Sequence, residues 1–416
     1  MLERLMEITK KHHDLFKYSI PLIASENVTS YAVRRLYMTD FGHRYAEGWI
    51  GKRFYQGCSY MDELEALAVE LTKRIFGCEH ANVQPISGVT ANLATFFALT
   101  NPGDCIVSLS VPHGGHISHD KFSAAGIRGL RVEHYPFDIE NFNIDVDETR
   151  RIVRNLKPKI FVLGASLFLF PHPVEEIVEI AGEVGARVVY DASHVLGLMA
   201  GGEFQDPIEE GADVVTASTH KTFFGPQRAI IMCKDELAKV IDRGVFPGVV
   251  SNHHVHSLAC YVMACIEMIE FGRDYARQTV KNARVLAEEM YNLGYKVLCP
   301  DLDFTRSHQV AVDVSDIGGG DYVARKLEEC GIILNKNLLP WDDVRNVENP
   351  SGIRIGVQEV TRLGMGEDEM REIARFIDMA LKDKNPGKVR EEVREFKSNF
   401  LTVKYTFEEC PAYEVI

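Results

Sequence analysis

The 416-residue chain is 46% hydrophobic and 25% charged, enough for one large domain and a smaller one, and too evenly mixed for long disordered segments. Its formal net charge of -14 argues against nucleic acid and against anionic membrane surfaces as partners. Nine cysteines scattered without a CxxC pair point to reduced thiols in a cytoplasmic protein rather than to disulfides or a metal site.

The first twenty residues, MLERLMEITKKHHDLFKYSI, carry helical apolar spacing and lack the continuous apolar stretch of a signal peptide. No run in the chain is expected to span a bilayer. Residues 21 to 60 are rich in Gly, Tyr, Arg and His without clean periodicity and read as extended and loop-rich. Helical spacing returns from Met61 to Phe76 and again from about Val89 to Leu99, with a strand entering a turn between them.

Short apolar runs then recur: DCIVSLSV, LRVEHYPF, KIFVLGAS, ARVVYDASH and ADVVTAST, with helical stretches such as VEEIVEIAGEVG between several of them. That alternation favours an α/β domain with a largely parallel sheet. A long helical region follows from about His256 to Asn292. Beyond it HQVAVDVS, GIILNKN and SGIRIGV are separate strand candidates among helices at YVARKLEE and EDEMREIARFIDMALK, so a smaller α+β domain is expected. The implied division is an N-terminal helical arm at 1–40, a large domain at 41–290 and a small domain at 291–416, ending in a charged helix and a short apolar strand.

Ligands of open parallel sheets bind beyond the C-terminal ends of the strands. One such end carries Asp191 and His194, and another carries Ser218, Thr219, His220 and Lys221. A carboxylate and an amine on nearby strand ends meet the demands of pyridoxal 5'-phosphate, which needs an amine for its aldehyde and a carboxylate to keep its ring nitrogen protonated. Ser87 and Gly88 precede a helix whose first amides can hold a phosphate. His116 in HGGHISHD can lie against a ring, and Arg354 in SGIRIG offers a fork for an amino-acid carboxylate. Each motif alone has a plain structural reading as an N-cap, a turn or a strand end, and it is their joint occurrence that favours this coenzyme. GxGxxG, GxxxxGK[ST] and HExxH are absent, and the histidines of SNHHVHS lack a second ligand set for zinc.

The succession LIASEN, HRYAEGWIGKRFYQG, ANVQPISG, HGGHISH, DASHVLGLMAGG, STHKTFFGP, NKN and SGIRIG closely resembles serine hydroxymethyltransferase, in particular its archaeal branch. The resemblance implies a fold-type I pyridoxal-phosphate transferase with a mostly parallel seven-stranded sheet and a smaller α+β domain. It implies Lys221 as the coenzyme's lysine, Asp191 at the ring nitrogen, His116 and Ser166 against the ring, and His194 on the side of its hydroxyl. Ser87, Gly88, Ser218, His220 and Asn252 become phosphate contacts. Arg354 and Ser25 would take the substrate carboxylate, Asn337 the pterin, and Tyr45, Glu47 and Tyr55 would enter the site of a second subunit, Glu47 moving a proton and Tyr55 near the substrate carboxylate and amine; Lys221, Glu47, Tyr55, His194 and His220 form the implied catalytic set. The implied reaction moves the hydroxymethyl group of L-serine to a reduced pterin, tetrahydrofolate or tetrahydromethanopterin, and leaves glycine. The partners are then a second copy in a homodimer and these small molecules.

Three departures from the family pattern stand out. GPQRAI replaces GPRGG after the lysine, which puts Gln227 where an arginine is usual and Arg228-Ala229 where two glycines are; Val89 follows Ser87-Gly88 in place of a hydroxyl residue; and SNHH replaces a glycine-rich segment. Two alternatives remain at this stage. One is a related pyridoxal reaction, threonine or allo-threonine aldol cleavage or transfer from α-methylserine; the other is a non-catalytic regulatory homologue.

Overall fold

The computed structural model describes residues 1–383 and 385–413. The expected runs become β1 (His80–Asn82), β2 (Cys105–Ser108), β3 (Arg131–His134), β4 (Ile160–Leu163), β5 (Arg187–Asp191) and β6 (Val214–Ser218). A strand that the sequence reading did not assign, β7 (Ala229–Cys233), joins them. The sheet has the order β1-β7-β6-β5-β4-β2-β3, and β7 alone runs against its neighbours. The fold is thus the mostly parallel seven-stranded α/β type. Every residue of β2, β4, β6 and β7 is buried, which is why these strands read as continuous apolar runs rather than alternating ones. Ala91, Ala94 and Phe96 of the helix Gly88–Leu99 pack with Ile106, Val162, Val189 and Ile231 of the sheet in one core.

The division of the chain differs from the expected one. Met1–Tyr31 and Asp274–Ile416 form one compact unit, and Ala32–Arg273 forms the other. The first residues are therefore not an independent arm. Ile20 and Pro21 pair in parallel with Ile332 and Ile333, and the Gln358 amide donates to the carbonyls of Ile23 and Glu26. The expected boundary near residue 290 falls inside an unbroken helix, Val255–Asn292, where nothing in the composition marks the break at 273. That helix is also, contrary to the sequence reading, long and apolar enough to cross a membrane; its most apolar window is 67% buried in the protein, as in a core helix.

The unit made of the two chain ends holds β8 (Lys296–Val297), β9 (Gln309–Asp313), β10 (Asn335–Asn337) and β11 (Gly352–Gly356) in the antiparallel order β8-β9-β11-β10. Its core gathers Val310, Val312, Ile353 and Ile355 of that sheet with Ile373, Phe376 and Ile377 of the helix Glu367–Lys382. The charged helix Pro386–Lys397 and the strand Thr402–Val403 follow as expected, and the last three residues of the chain lie outside the described residues.

Candidate active site

The ends of β5 and β6 are tied together before any ligand is considered. The Ser218 N–H donates to Ser193 Oγ (2.9 Å), the Thr222 hydroxyl donates to the His194 carbonyl (2.8 Å), and the Gly197 N–H donates to Thr222 Oγ1 (3.0 Å). Thr219 closes the turn, its N–H donating to the Arg228 carbonyl (3.0 Å) and its hydroxyl to that of Pro226 (2.7 Å). The small polar residues around Lys221 thus satisfy the backbone of a tight connection from β6 to β7 and fix where the amine sits.

A cavity of about 220 Å³ opens at these strand ends. Nine of the expected residues line it: Ser87, Gly88, His116, Ser166, Asp191, His194, Ser218, His220 and Lys221. Val89, Asn92, Ala165 and Ser193 line it as well. Opposite the lysine turn, Ser87 caps the helix Gly88–Leu99 by accepting from the Thr90 N–H (3.2 Å), and its hydroxyl lies 2.8 Å from that of Thr90. Thr90 is therefore engaged with the cap rather than standing in for the hydroxyl missing at Val89.

Asp191 is buried and held from behind. One oxygen accepts from the Asn92 amide (2.8 Å) and faces His119 Nε2 at 3.0 Å, and the other accepts from the Ser193 N–H (3.0 Å). Asn92 is itself oriented by the Thr216 hydroxyl, which donates to its Oδ1 (2.7 Å). Burial alone would raise the Asp191 pKa, but the hydrogen bond and charge of His119, the charge of His116 and the Asn92 amide outweigh it and hold the carboxyl well below the usual range. The His220 pKa is also lowered, to about 3, by burial and then by the charge of Lys221, so the ring is neutral, and its Nδ1 is buried with no protein hydrogen-bond partner.

His116 is aimed by its own turn, its Nδ1 accepting from the Ser118 N–H (3.2 Å). The preceding Gly114 has φ +92, and a Cβ there would stand 2.5 Å from the Leu167 carbonyl oxygen. That closeness lets the Gly114 carbonyl accept from the Ser166 N–H (2.6 Å), so the loops bearing His116 and Ser166 share one hinge point.

Tyr45, Glu47, Tyr55 and Asn252 do not line this cavity. They form a cluster of their own on the same unit. The Ser251 hydroxyl donates to Glu47 Oε1 (2.7 Å) and lies 3.1 Å from the Tyr45 hydroxyl, and the Tyr45 and Tyr55 rings are 5.0 Å apart. Asn252, expected at the phosphate of the second copy, accepts from the Ala46 N–H (3.0 Å) and donates to the Arg44 carbonyl (3.4 Å). Tyr45 and Tyr55 remain 44% and 47% exposed, so the cluster faces outward.

Ser25, Asn337 and Arg354 belong to the other unit. Arg354 lies on β11 with its Nε donating to Asn335 Oδ1 (3.2 Å), and burial pushes its pKa down to about 10. The Asn337 amide donates to the Leu338 carbonyl (2.6 Å), and Ser25 is half-buried just beyond the residues that pair with Ile332 and Ile333.

A family model described as serine hydroxymethyltransferase matches residues 2–377. The chain is 63% identical over 410 residues to the serine hydroxymethyltransferase of Archaeoglobus fulgidus, covering 98% of this chain and 94% of that one. It is 56% identical to those of Methanocella arvoryzae (99% and 98% covered) and Methanothermobacter thermautotrophicus (99% and 97% covered).

The chain belongs to the serine hydroxymethyltransferase family.

It is accordingly a fold-type I, pyridoxal-phosphate-dependent transferase of serine–glycine interconversion that works with a folate-type pterin. The residues present suit a serine hydroxymethyltransferase coenzyme. The buried, unpartnered His220 Nδ1 offers a hydrogen bond, and Gly88 leaves a cradle that a Cβ would fill, 2.6 Å from Ser218 Oγ. The set of one amine, one ionised carboxylate, hydroxyls and a helix N-terminus matches an aldehyde, a protonated ring nitrogen and a phosphate.

Sequence reasoning missed Asn92, His119 and Thr216. Asn92 lies one helical turn beyond Gly88 and so on the same face, and His119 lies three residues after His116, so the spacing carried a signal for these two. Thr216, inside an apolar strand, gave none.

Proposed function

We propose that this enzyme transfers the hydroxymethyl group of L-serine to a reduced pterin of the tetrahydrofolate or tetrahydromethanopterin class, working as a homodimer whose sites each use residues of both copies. The observation that carries the reading is the convergence of Lys221, the ionised Asp191 and the unpartnered His220 Nδ1 on one cavity at the strand ends.

Pyridoxal phosphate, when bound, supplies an electron sink for the bond broken at the serine Cα. Lys221 contributes the amine that holds the coenzyme's aldehyde. Asp191 keeps a proton on the ring nitrogen, and Asn92 and His119 keep Asp191 ionised and aimed. Ser87, Gly88, Ser218 and His220 bind the phosphate; His116 and Ser166 orient the ring, and His194 serves its hydroxyl side. Arg354 and Ser25 bind the substrate carboxylate, and Asn337 binds the pterin. Glu47 moves the proton at the serine hydroxyl, with Tyr55 beside it, and both act in the site of the second copy. The outward-facing Tyr45–Glu47–Tyr55 cluster, separate from its own chain's cavity, supports that shared arrangement.

The test is glycine formation from serine with each reduced pterin in turn, with the enzyme loaded with coenzyme. Turnover that requires a pterin is expected, and the preferred pterin identifies the carrier. Equal turnover with and without any pterin would instead make the enzyme an aldolase. Sharing is tested by mixing Lys221→Ala with Glu47→Gln, both weak alone: random pairing restores about a quarter of wild-type activity if the sites are shared, and no recovery refutes sharing.

A further inference from the structure

Where the family pattern has two glycines after the lysine turn, this chain has Arg228 and Ala229. Neither is at positive φ, and the Arg228 side chain is entirely buried. Its Nη1 donates to the carbonyls of His253 (2.7 Å) and His254 (3.0 Å) and to Ser257 Oγ (2.9 Å), and its Nε and Nη2 donate to the Val83 carbonyl. No other cationic side chain could do this, because only a guanidinium has a planar fork that serves so many acceptors at once. The segment it grips holds His254 at φ +56. The residues just before the gripped His253 are Ser251 and Asn252, whose side chains hold the Glu47 carboxylate and the Ala46 N–H.

Glu47 is fixed from its other side by the same buried network. His253 Nε2 lies 3.1 Å from Glu65, and Glu65 pairs with Arg53 (2.5 Å) and accepts from the Gln84 amide (2.8 Å). Arg53 Nη1 donates to the carbonyls of Ala46 (2.9 Å) and Gly48 (2.7 Å), the two residues that bracket Glu47, and Gln84 also donates to Gly48 O (3.0 Å). Arg53 is completed by Asp62 at 2.7 Å, so two guanidinium groups are balanced by two carboxylates. A buried charge so compensated is costly to break from one side, which makes the arrangement specific in shape.

We propose that Arg228, through His253, Glu65 and Arg53, is a positioning residue for Glu47, and hence acts on the reaction in the second copy's site rather than in its own. The inference rests on the shared-site reading above. The Arg228 main-chain carbonyl, which closes the Lys221 turn, is untouched by a side-chain substitution, so the two roles separate experimentally.

The experiment uses Arg228→Met, with Glu65→Gln as the milder variant if the first does not fold. Each is expected to bind pyridoxal phosphate within about threefold of wild type, to leave the KM for serine nearly unchanged, and to lower kcat about tenfold to a hundredfold, as small misplacements of a reacting group do. Each is then mixed with Lys221→Ala, beside the Lys221→Ala and Glu47→Gln control. In the mixed dimer the one competent site takes its lysine from the Arg228→Met copy and its Glu47 from the other. Recovery to the level of the control is the expected result. If the control recovers and the Arg228→Met mixture stays at the level of that variant alone, the residue acts in its own pocket and the proposal is overturned. An unchanged kcat overturns it equally. If the control itself fails to recover, the shared-site reading falls and this inference falls with it.

Discussion

Replacing Gly88 with alanine separates the folding of the cavity from its use. Gly88 begins a helix with ordinary helical backbone, so alanine there gains about 1 kcal/mol of helix propensity. The new Cβ stands 2.6 Å from Ser218 Oγ and 3.5 Å from Ser193 Oγ, a crowding that costs about 1–3 kcal/mol until the Ser218 hydroxyl turns away. The two effects largely offset each other, and the coenzyme-free protein should melt close to wild type. Binding is different, because the hydroxyl that turns away is the one proposed to bind the phosphate, and a hydrogen bond to a charged group contributes about 1.5–3 kcal/mol. The coenzyme's dissociation constant should therefore rise about tenfold to a hundredfold. Equilibrium dialysis of pyridoxal phosphate against wild type, Gly88→Ala, Ser218→Ala and the double variant completes a cycle. If the methyl acts through Ser218, it adds little once that hydroxyl is gone. Wild-type affinity in Gly88→Ala, or fully additive losses in the double variant, would refute the reasoning.

Burial works to raise the Glu65 pKa, yet His253, Arg53 and Gln84 bring it from 4.5 down to about 2. Its contribution, about 3 kcal/mol, is present above the ordinary carboxylate value and lost as pH falls toward 2, so Glu65→Gln should flatten the fall of melting temperature over that window. Glu359 has the opposite sign: burial raises its pKa to about 7, offset only in part by the Tyr413 hydroxyl at 3.0 Å. Wild-type stability should then decline between about pH 4.5 and 7 as the unfolded chain alone ionises there, and Glu359→Gln should remove that decline in thermal melts; a variant that tracks wild type across the window would count against it. His220→Phe should leave the coenzyme-free protein folded, because its Nδ1 has no protein partner to lose, and on the proposed phosphate role weaken coenzyme binding about tenfold, measured by dialysis.

The cavity-lining residues at the strand ends were legible because polar clusters directly follow buried apolar runs at two neighbouring strands, β5 and β6, and their joint occurrence outweighs the plain structural reading that each has alone. Thr216 was not, since its value lies in orienting Asn92 across 124 residues of chain. The GPQRAI departure is visible in the sequence, but not that it makes a buried clamp whose acceptors are Val83, His253, His254 and Ser257. β7 was not assigned, because RAIIMC follows a Gly-Pro turn that reads as the end of the lysine strand rather than as the corner before another. The domain division escaped because Ile20 pairs with Ile332, a contact that no local pattern announces.

The direction of β7 carries a further consequence. Because it runs against β6, with Ser218 opposite Ala229, the turn that holds Lys221 is anchored at both ends in a single ladder only eleven residues apart along the chain. Fraying of β7 would therefore release Lys221, the lysine proposed to hold the coenzyme, and the Arg228 clamp in one event. The colour of the bound coenzyme then doubles as an optical gauge of whether this strand is docked, and in refolding it should appear only after the last strand has closed against its neighbour.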